Sequence, residues 1–303
     1  MNEFTEGTYV NVAGIRNYRL YVAASGDAEA APLFVMLHGC DQNAVDFAAG
    51  TRMNELADEC RGVVLYPEQC RLVNPLGCWN WHDSKHQSAD HGEPALIAGM
   101  TRQVAAERNI DSSRIYVAGM SAGGAMAVIL GQEYPELYAA VGVHSGVPSG
   151  VASDLVSALR AMAHGPVAVE SAPARATTRS RRTVPTIVFH GDMDTVVHPS
   201  NGEAVHIQAR RPTRRAAASM APAPDRSSRT HGVEAPGSRA FTRTSETYDG
   251  VPGAELWMVH GGGHAWTGGS PEGTYTDAVG PDASREMVRL FLQQRLDAGM
   301  ARH

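Results

Sequence analysis

Lysine, cysteine and long apolar runs are all scarce in this chain of 303 residues. Lys85 is the only lysine among 26 basic residues, a bias that we attribute to genome composition rather than to function. No run approaches the ~18 consecutive apolar residues of a membrane-spanning helix, so we expect a soluble globular protein. The four cysteines contain no C-x2-C pair, which argues against a zinc site.

The sequence also shows neither internal repeats nor a recognisable secretory signal. No segment recurs at the periods that are typical of solenoid proteins. The opening letters, M-N-E-F, are not the basic and then apolar stretch of a signal peptide. The sequence leaves two interpretations open, in which the signal has been removed or the protein stays inside the cell.

The residues that are present favour a globular protein without a polyanionic partner. Hydrophobic residues make up 43% of the chain and aromatic residues 6%, which excludes a wholly disordered chain. With a net charge of -6 and a pI near 6.1, we expect neither a nucleic acid nor an anionic membrane as partner. A local arginine cluster reads as solvated loops rather than a polyanion-binding patch. Its members are Arg175, Arg179, Arg181, Arg182, Arg210, Arg211, Arg214 and Arg215.

Short apolar, β-branched runs alternate with helical patterns along the chain. Residues 9–12 and 18–23 read as an opening antiparallel pair, whereas 33–37 and 115–118 are apolar without alternation, as in parallel strands buried on both faces. This order predicts an α/β fold, a three-layer αβα sandwich on a mostly parallel sheet. The other predicted strands are 63–66, 139–143, 186–189 and 255–259, and the predicted helices are 44–60, 94–108, 122–134, 155–163 and 282–296.

Two stretches interrupt the alternation and read as flexible insertions. Residues 153–183 and 208–239 are rich in Ala, Arg, Ser and Pro and show little strand pattern, apart from the helical pattern at 155–163. Neither is apolar enough to build a second core. We therefore expect residues 1–303 to form one domain.

Residues 119–123 read G-M-S-A-G, directly after one predicted strand and directly before a helix. The glycines permit a strand-to-helix turn so tight that it holds Ser121 in a strained conformation, with its hydroxyl above the sheet. The helix N-terminus below favours a developing negative charge. G-x-S-x-G alone is common in a chain with 31 glycines, but its strand–turn–helix context favours a nucleophile over an ordinary turn.

A serine nucleophile needs a base, and the base needs an acid that orients it. Asp194 and His264 follow the last two predicted strands, which gives the order serine, aspartate, histidine of an α/β-hydrolase. We favour Asp194 over Asp192, which could instead accept hydrogen bonds from backbone amides. We favour His264 over His260, because His260 still belongs to the strand end and would point into the packing.

Two backbone amides must also converge on the oxyanion of the tetrahedral intermediate. Ala122, directly after the nucleophile, is the first candidate. Cys40, on the loop after the strand at 33–37, is the second, with Asp41 as its neighbouring alternative. Alternatively, His38 and Gly39 form a simple turn that ends the strand and have no part in an oxyanion hole.

With these residues assembled, the chain resembles the polyhydroxybutyrate (PHB) depolymerase family of esterases, which also contains feruloyl and acetylxylan esterases. The motif order is similar to the type 1 catalytic domain rather than to the circularly permuted type 2. The resemblance covers roughly residues 7–296. It rests on L-H-G-C at 37–40, Y-P-E-Q at 66–69, C-W-N-W at 78–81, G-M-S-A-G-G at 119–124, H-G-D-M-D at 190–194, H-P-S-N-G at 198–202 and H-A-W-T-G-G at 264–269.

The resemblance implies a serine esterase without a separate lid domain, which needs neither a cofactor nor a metal. Its substrates would be short-chain polyhydroxyalkanoates such as poly-3-hydroxybutyrate, or their oligomers, and its location extracellular or periplasmic. The absence of a recognisable substrate-binding or linker domain favours oligomers or amorphous material over crystalline polymer. Two other hypotheses stay open: a feruloyl or acetylxylan-type carboxylesterase, and a non-catalytic binding protein with a hydrolase fold.

The resemblance also suggests how the cysteines pair. Cys40 would join Cys78 and brace the oxyanion loop against the tryptophan segment, and Cys60 and Cys70 would form a second pair. Four cysteines permit three connectivities, and four buried thiols are the alternative.

Three aromatic side chains are candidates for substrate contact. Trp266 lies two residues after His264, where it could form an apolar wall for the ester, or alternatively cap the core. Trp81 and His38 are weaker candidates of the same kind. A nearby polar loop carries acids and histidines whose irregular spacing does not predict a metal site. They are His82, Asp83, His86, Asp90 and His91.

Overall fold

A ten-stranded sheet organises the computed structural model, which describes residues 3–24, 30–166, 182–210, 223–248 and 250–297. The strands in chain order are β1 (Glu3–Asn11), β2 (Gly14–Val22), β3 (Ala31–Leu37), β4 (Val63–Pro67), β5 (Ile110–Met120), β6 (Ala140–His144), β7 (Thr186–Gly191), β8 (Arg226–Val233), β9 (Ala240–Tyr248) and β10 (Val251–Val259). Across the sheet they run β1-β2-β4-β3-β5-β6-β7-β10-β9-β8. The six central strands are parallel, and two antiparallel strands flank them at each edge. A separate small pair joins β11 (Trp266–Thr267) and β12 (Thr276–Asp277).

Helices cover both faces of this sheet. The helices are α1 (Ala44–Thr51), α2 (Met53–Cys60), α3 (Gly92–Glu107), α4 (Ala122–Glu133), α5 (Leu155–His164), α6 (Ser200–Ala209) and α7 (Ala283–Phe291), with a 3-10 turn at Ser84–His86. One core cluster contains residues of α3, α4, α5 and α6, and the other contains residues of α1, α2 and α7. The predicted three-layer αβα sandwich on a mostly parallel sheet is therefore confirmed. That residues 1–303 form one domain stays a prediction.

Strand β5 shows why its apolar run lacks alternation. Ile115 and Val117 belong to one core cluster, whereas Tyr116 and Ala118 belong to the other, and all four are buried. A strand covered by helices on both faces has no side that requires polar residues. The opening antiparallel pair is likewise confirmed, as β1 and β2.

The helix predicted over 44–60 is two helices, α1 and α2. Arg52 separates them in the left-handed region, at φ 53°, and its N–H donates to Ala48 O at 3.0 Å. Apolar spacing continues across this break, so the pattern alone could not reveal it. Similarly, α7 ends at Phe291 rather than at residue 296.

The predicted insertions are only partly confirmed. The helix at 155–163 is present as α5. The interpretation of 208–239 as loop is wrong at 208–209, which end α6, and at Arg226–Val233, which form β8 and pair with β9. β8 lies at the sheet edge with most of its side chains exposed, so it has no need of apolar alternation. Residues 167–181 and 211–222 lie outside the described residues.

Two of the eight clustered arginines fall within the described residues, and both have protein partners. Arg182 donates to three backbone oxygens, including Ala139 O at 2.7 Å, and Arg210 pairs with Glu246 at 2.6 Å. These two arginines were predicted to lie in solvated loops, but their side chains instead bind other parts of the protein. The other six arginines lie outside the described ranges.

None of the helices in the described ranges combines the length and the apolarity needed to cross a membrane.

Candidate active site

Ser121 occupies a strained turn between β5 and α4. Its backbone has φ 54° and ψ -118°, a conformation that costs a non-glycine residue roughly 1–3 kcal/mol. A Cβ atom on Gly119 would lie 2.4 Å from the Gly123 carbonyl, and one on Gly123 would lie 2.1 Å from Leu37 O. Both flanking glycines of G-x-S-x-G are therefore required by close backbone approach.

Backbone hydrogen bonds hold this turn in place. Ser121 N–H donates to His144 O at 2.9 Å, and Ser121 O accepts from Ala125 N–H at 2.9 Å. The turn is thus tied to the end of β6 and to the first turn of α4. The positive end of the α4 dipole lies below the serine, where it favours negative charge.

Asp194 and His264 are hydrogen-bonded at the same edge of the sheet. His264 Nδ1 lies 2.8 Å from Asp194 Oδ2, while Asp194 Oδ1 accepts from the N–H groups of Val196 and Val197 at 2.9 Å each. Burial raises the pKa of Asp194, but hydrogen bonds from His190 and His264 outweigh it and hold the pKa well below its usual range. The carboxylate is therefore ionised and can fix the imidazole tautomer.

The topology brings the three predicted residues to one edge of the sheet. Ser121, Asp194 and His264 follow β5, β7 and β10, which are all parallel strands of the central sheet. The carboxyl ends of parallel strands meet at one edge, where ligands of open α/β sheets bind.

The second acid–histidine pair, Asp192 and His260, lies beside the first. Asp192 Oδ1 accepts from Gly261 N–H at 2.7 Å, which is the backbone role expected of it, and Oδ2 lies 2.9 Å from His260 Nδ1. His260 does not point into the packing as expected, because its side chain is 42% exposed. Its Nε2 lies 2.8 Å from Thr242 Oγ1.

The loop after β3 lies next to Ser121 and offers a free amide. A Cβ atom on Gly39 would lie 3.7 Å from Ser121 Cβ, and Gly39 N–H donates to Gln42 Oε1 at 2.9 Å. Asp41 N–H is occupied by Leu76 O at 2.8 Å, which disfavours Asp41 as an oxyanion donor. Within the described residues, the N–H groups of Cys40 and Ala122 have no hydrogen-bond partner. These two amides are the pair available to an oxyanion.

A disulfide fastens this loop, as predicted: Cys40 and Cys78 are joined, with an S–S distance of 2.03 Å. Trp79, the next residue, donates from Nε1 to His38 O at 3.1 Å. The loop after β3 is thus held to the tryptophan segment by one covalent and one hydrogen bond.

The predicted pairing of Cys60 with Cys70 is wrong, since both thiols are free. Cys60 ends α2 just before β4, and Cys70 follows the other end of β4. A five-residue strand spans roughly 13 Å from its first Cα to its last, whereas a disulfide needs Cα atoms within about 7 Å. Burial raises the pKa of the Cys60 thiol to about 11, so it is not a reactive thiolate near neutral pH.

The three candidates for substrate contact are all buried. His38 is 1% exposed, accepts from Gln69 N–H through Nε2 at 3.1 Å, and has its pKa lowered to about 4 by burial. Trp266 is also 1% exposed, and its Nε1 donates to Ser284 Oγ at 3.0 Å. Trp81 is 7% exposed within the core. Their burial favours the core alternative over a wall that faces substrate.

Sequence reasoning missed the polar network under the tryptophan segment. Glu93 is fully buried and lies 3.3 Å from Arg16 NH2, while its Oε2 accepts from Asn80 N–H at 2.7 Å and its Oε1 from Gln69 Nε2. Gln69 in turn donates to Cys78 O at 2.9 Å. A glutamate in the first turn of a helix is typically exposed to solvent. Only the observed burial therefore reveals that Glu93 is the acceptor at the centre of this network.

Among the described residues, no three histidine, cysteine or acidic side chains converge as metal ligands would.

Known proteins share both the sequence pattern and the fold. A sequence model of the family described as esterase PHB depolymerase matches residues 16–222. Poly(3-hydroxyalkanoate) depolymerase C of Paucimonas lemoignei is 32% identical over 185 residues, which are 58% of this chain and 44% of that protein. Feruloyl esterase B of Neurospora crassa is 29% identical over 199 residues, 60% of this chain and 66% of that protein. The matches therefore span between about half and two thirds of these relatives' own lengths.

Among solved structures, acetyl xylan esterase from Aspergillus awamori has a similar fold. The TM-score is 0.65 over 91% of this chain and 94% of that one, at 19% identity. At that identity the likeness concerns the fold alone.

Proposed function

Because the chain belongs to the esterase PHB depolymerase family, we propose that it is a serine esterase with Ser121 as its nucleophile. The observation that carries this proposal is the 2.8 Å bond between His264 and the buried Asp194, at the sheet edge that also bears the strained Ser121. The family match includes Ser121 and Asp194 but ends before His264, so the choice of His264 depends on geometry.

The proposed reaction passes through an acyl-enzyme. Ser121 Oγ attacks the ester carbonyl carbon while His264 Nε2 takes the hydroxyl proton, and the amides of Cys40 and Ala122 bind the oxyanion. The C–O bond to the alcohol breaks, and the alcohol leaves with the proton from His264. Water then attacks the acyl carbon, gives its proton to His264, and releases the acid as Ser121 recovers its proton.

Replacement of the nucleophile tests this assignment. Ser121→Ala should lower kcat for p-nitrophenyl butyrate by at least ~10⁴-fold, as loss of the nucleophile does in serine hydrolases. Ser153→Ala, at an exposed serine before α5, is the matched control and should keep wild-type activity. Near-wild-type activity in Ser121→Ala would refute the assignment. If a fluorophosphonate probe that labels a known esterase fails to label this protein, the non-catalytic alternative is favoured.

As substrates we propose short-chain polyhydroxyalkanoates such as poly-3-hydroxybutyrate, or their oligomers. The support is the 32% identity to a poly(3-hydroxyalkanoate) depolymerase. The second candidate is a feruloyl or acetylxylan ester, supported by the match to a feruloyl esterase over 66% of its length.

Product analysis separates the two substrate classes. The protein is incubated with poly-3-hydroxybutyrate, the hydroxybutyrate trimer, methyl ferulate and acetylated xylan, with Ser121→Ala as the blank. We expect kcat/KM for the trimer to exceed that for methyl ferulate at least ~10-fold, roughly the discrimination that a fitted pocket provides. The reverse preference would favour the feruloyl or acetylxylan assignment.

We also propose an extracellular or periplasmic location, since disulfides persist in oxidising compartments. The Cys40–Cys78 bond supports this location. Peptide mapping of the native protein under thiol-blocking conditions should recover the Cys40–Cys78 peptide. Recovery of both peptides as blocked free thiols would contradict the proposal.

A further inference from the structure

His144 lies between the two strands that position Ser121 and Asp194. It is the last residue of β6, which pairs with β5 on one side and β7 on the other. Its carbonyl oxygen accepts the Ser121 N–H, and the next residue, Ser145, donates its N–H to Phe189 O at 2.9 Å. The backbone of His144 therefore already belongs to the support of the nucleophile turn.

The side chain of His144 extends in a different direction, to the loop that carries His264. Its Nε2 accepts the N–H of Thr267 at 3.0 Å, and the residue is only 1% exposed. The ring stacks on Trp266, with centroids 5.1 Å apart and planes at 25°, and on Phe189, with centroids 6.1 Å apart and planes at 8°. Thr267 follows His264 by three residues, so this bond fixes the end of the base-bearing loop.

The hydrogen bonds determine the protonation state of this ring. A backbone N–H can only donate, so Nε2 carries a lone pair, and Nδ1–H donates to Ser145 Oγ at 3.2 Å. Burial, helped by the nearby His190 and His264 and opposed by Asp194, lowers the pKa of His144 to about 3. The ring therefore remains a neutral acceptor at any pH where the protein would work.

We propose that His144 is a positioning residue, whose imidazole holds the His264 loop in register with the Ser121 turn. The inference rests on the proposed roles of Ser121 and His264. One residue thus links both halves of the site, because its carbonyl binds the nucleophile turn and its ring binds the loop of the base. Errors of about 1 Å in the placement of reacting groups can cost ~10²-fold in rate, so such a link is worth maintaining.

A pair of substitutions separates the acceptor from the ring stack. His144→Phe keeps an aromatic ring between Trp266 and Phe189 but removes the acceptor for Thr267 N–H. His144→Gln loses the ring but can place its Oε1 where Nε2 was. We expect His144→Phe to lower kcat for p-nitrophenyl butyrate ~10- to 100-fold, with KM changed less than ~3-fold. We expect His144→Gln to recover kcat to within ~3-fold of wild type.

A third comparison tests whether the effect passes through the base. In a His264→Ala background, His144→Phe should change the residual rate less than ~2-fold, because the group that it positions is already absent. Equal losses in His144→Phe and His144→Gln, or an unchanged kcat in His144→Phe, would overturn the proposal. So would a full additional loss in the His264→Ala background.

If His144→Phe does not fold, the wild-type protein still provides a test. With ¹⁵N-labelled histidine, His144 should show an unprotonated Nε2 and a protonated Nδ1 from pH 5 to pH 8. The opposite tautomer would overturn the proposal. Wild-type esterase activity and labelling of Ser121 are measured first, so that failure of the proposed function is recognised separately from failure of this inference.

Discussion

Two acid–histidine pairs connect the same two segments, and they differ in burial rather than in distance. Asp194 and His264 lie 2.8 Å apart, and Asp192 and His260 lie 2.9 Å apart. Both pairs join the turn after β7 to the loop after β10. In the first pair the side chains are 0% and 10% exposed, whereas in the second they are 36% and 42% exposed.

The difference shows that contact distance alone does not distinguish the two pairs. Asp194 is fixed by two backbone N–H groups and is shielded from water, so its charge acts strongly on His264. Asp192 faces solvent, where an ion pair contributes little energy and is screened by salt. The exposed pair fastens the start of the loop through Gly261 N–H, while the buried pair fixes the His264 ring on the same loop.

Replacing each aspartate by asparagine should give the largest difference in kcat between the two pairs. Asp194→Asn should lower kcat for p-nitrophenyl butyrate by ~10⁴-fold, because an amide can donate to Nδ1 and favour the wrong imidazole tautomer. Asp192→Asn should lower it less than ~5-fold, because its side-chain oxygen can still accept from Gly261 N–H. Steady-state kinetics at pH 7.5 measures both.

The outcome that would reverse this comparison is a larger loss in Asp192→Asn than in Asp194→Asn. In that case the exposed pair would supply the base, and His260→Ala would abolish activity while His264→Ala would not. Circular dichroism of each variant serves as the control for folding.

The parts of the site that could be predicted from the residues alone follow a local rule, whereas the Cys40–Cys78 pairing came from the family resemblance. Ser121, Asp194 and His264 each come after a buried parallel strand, and the carboxyl ends of such strands share one edge. The glycines around Ser121 are likewise local, since the tight turn brings them against their own neighbours and β3. Chain order and strand pattern were therefore sufficient for these residues.

The parts that could not be predicted depend on contacts between distant segments. The bond from Thr267 to His144 joins residues 123 positions apart, and no period or motif signals it. Cys60 and Cys70 lie close in sequence but at opposite ends of β4, and both are free. That they lie too far apart to pair follows from the extended strand between them, which the spacing of the cysteines does not reveal. β8 was missed because an exposed edge strand carries no apolar pattern.

Burial should also control how the protein responds to acid, which gives a smaller, graded test. Burial lowers the pKa of His38 to about 4 and that of His144 to about 3, so both stay neutral in the folded protein and charge on unfolding. Between these values and about pH 6.5 the unfolded chain binds more protons, and stability must fall as the pH falls. Each such histidine contributes at most about 1.4 kcal/mol per pH unit to this slope.

Replacement of one buried histidine isolates its contribution. Urea unfolding of wild type at pH 6.5, 5.5 and 4.5 gives the slope, and His38→Gln should reduce it by about 1 kcal/mol per pH unit. The amide oxygen introduced by His38→Gln can still accept from Gln69 N–H, whereas the contact of Nδ1 with Gly39 O is lost. Loss of a contact that does not depend on pH lowers the free energy of unfolding equally at all three pH values, so the change in slope reports the lost titration. An unchanged slope in His38→Gln would mean that the buried His38 ring does not contribute to the response to acid.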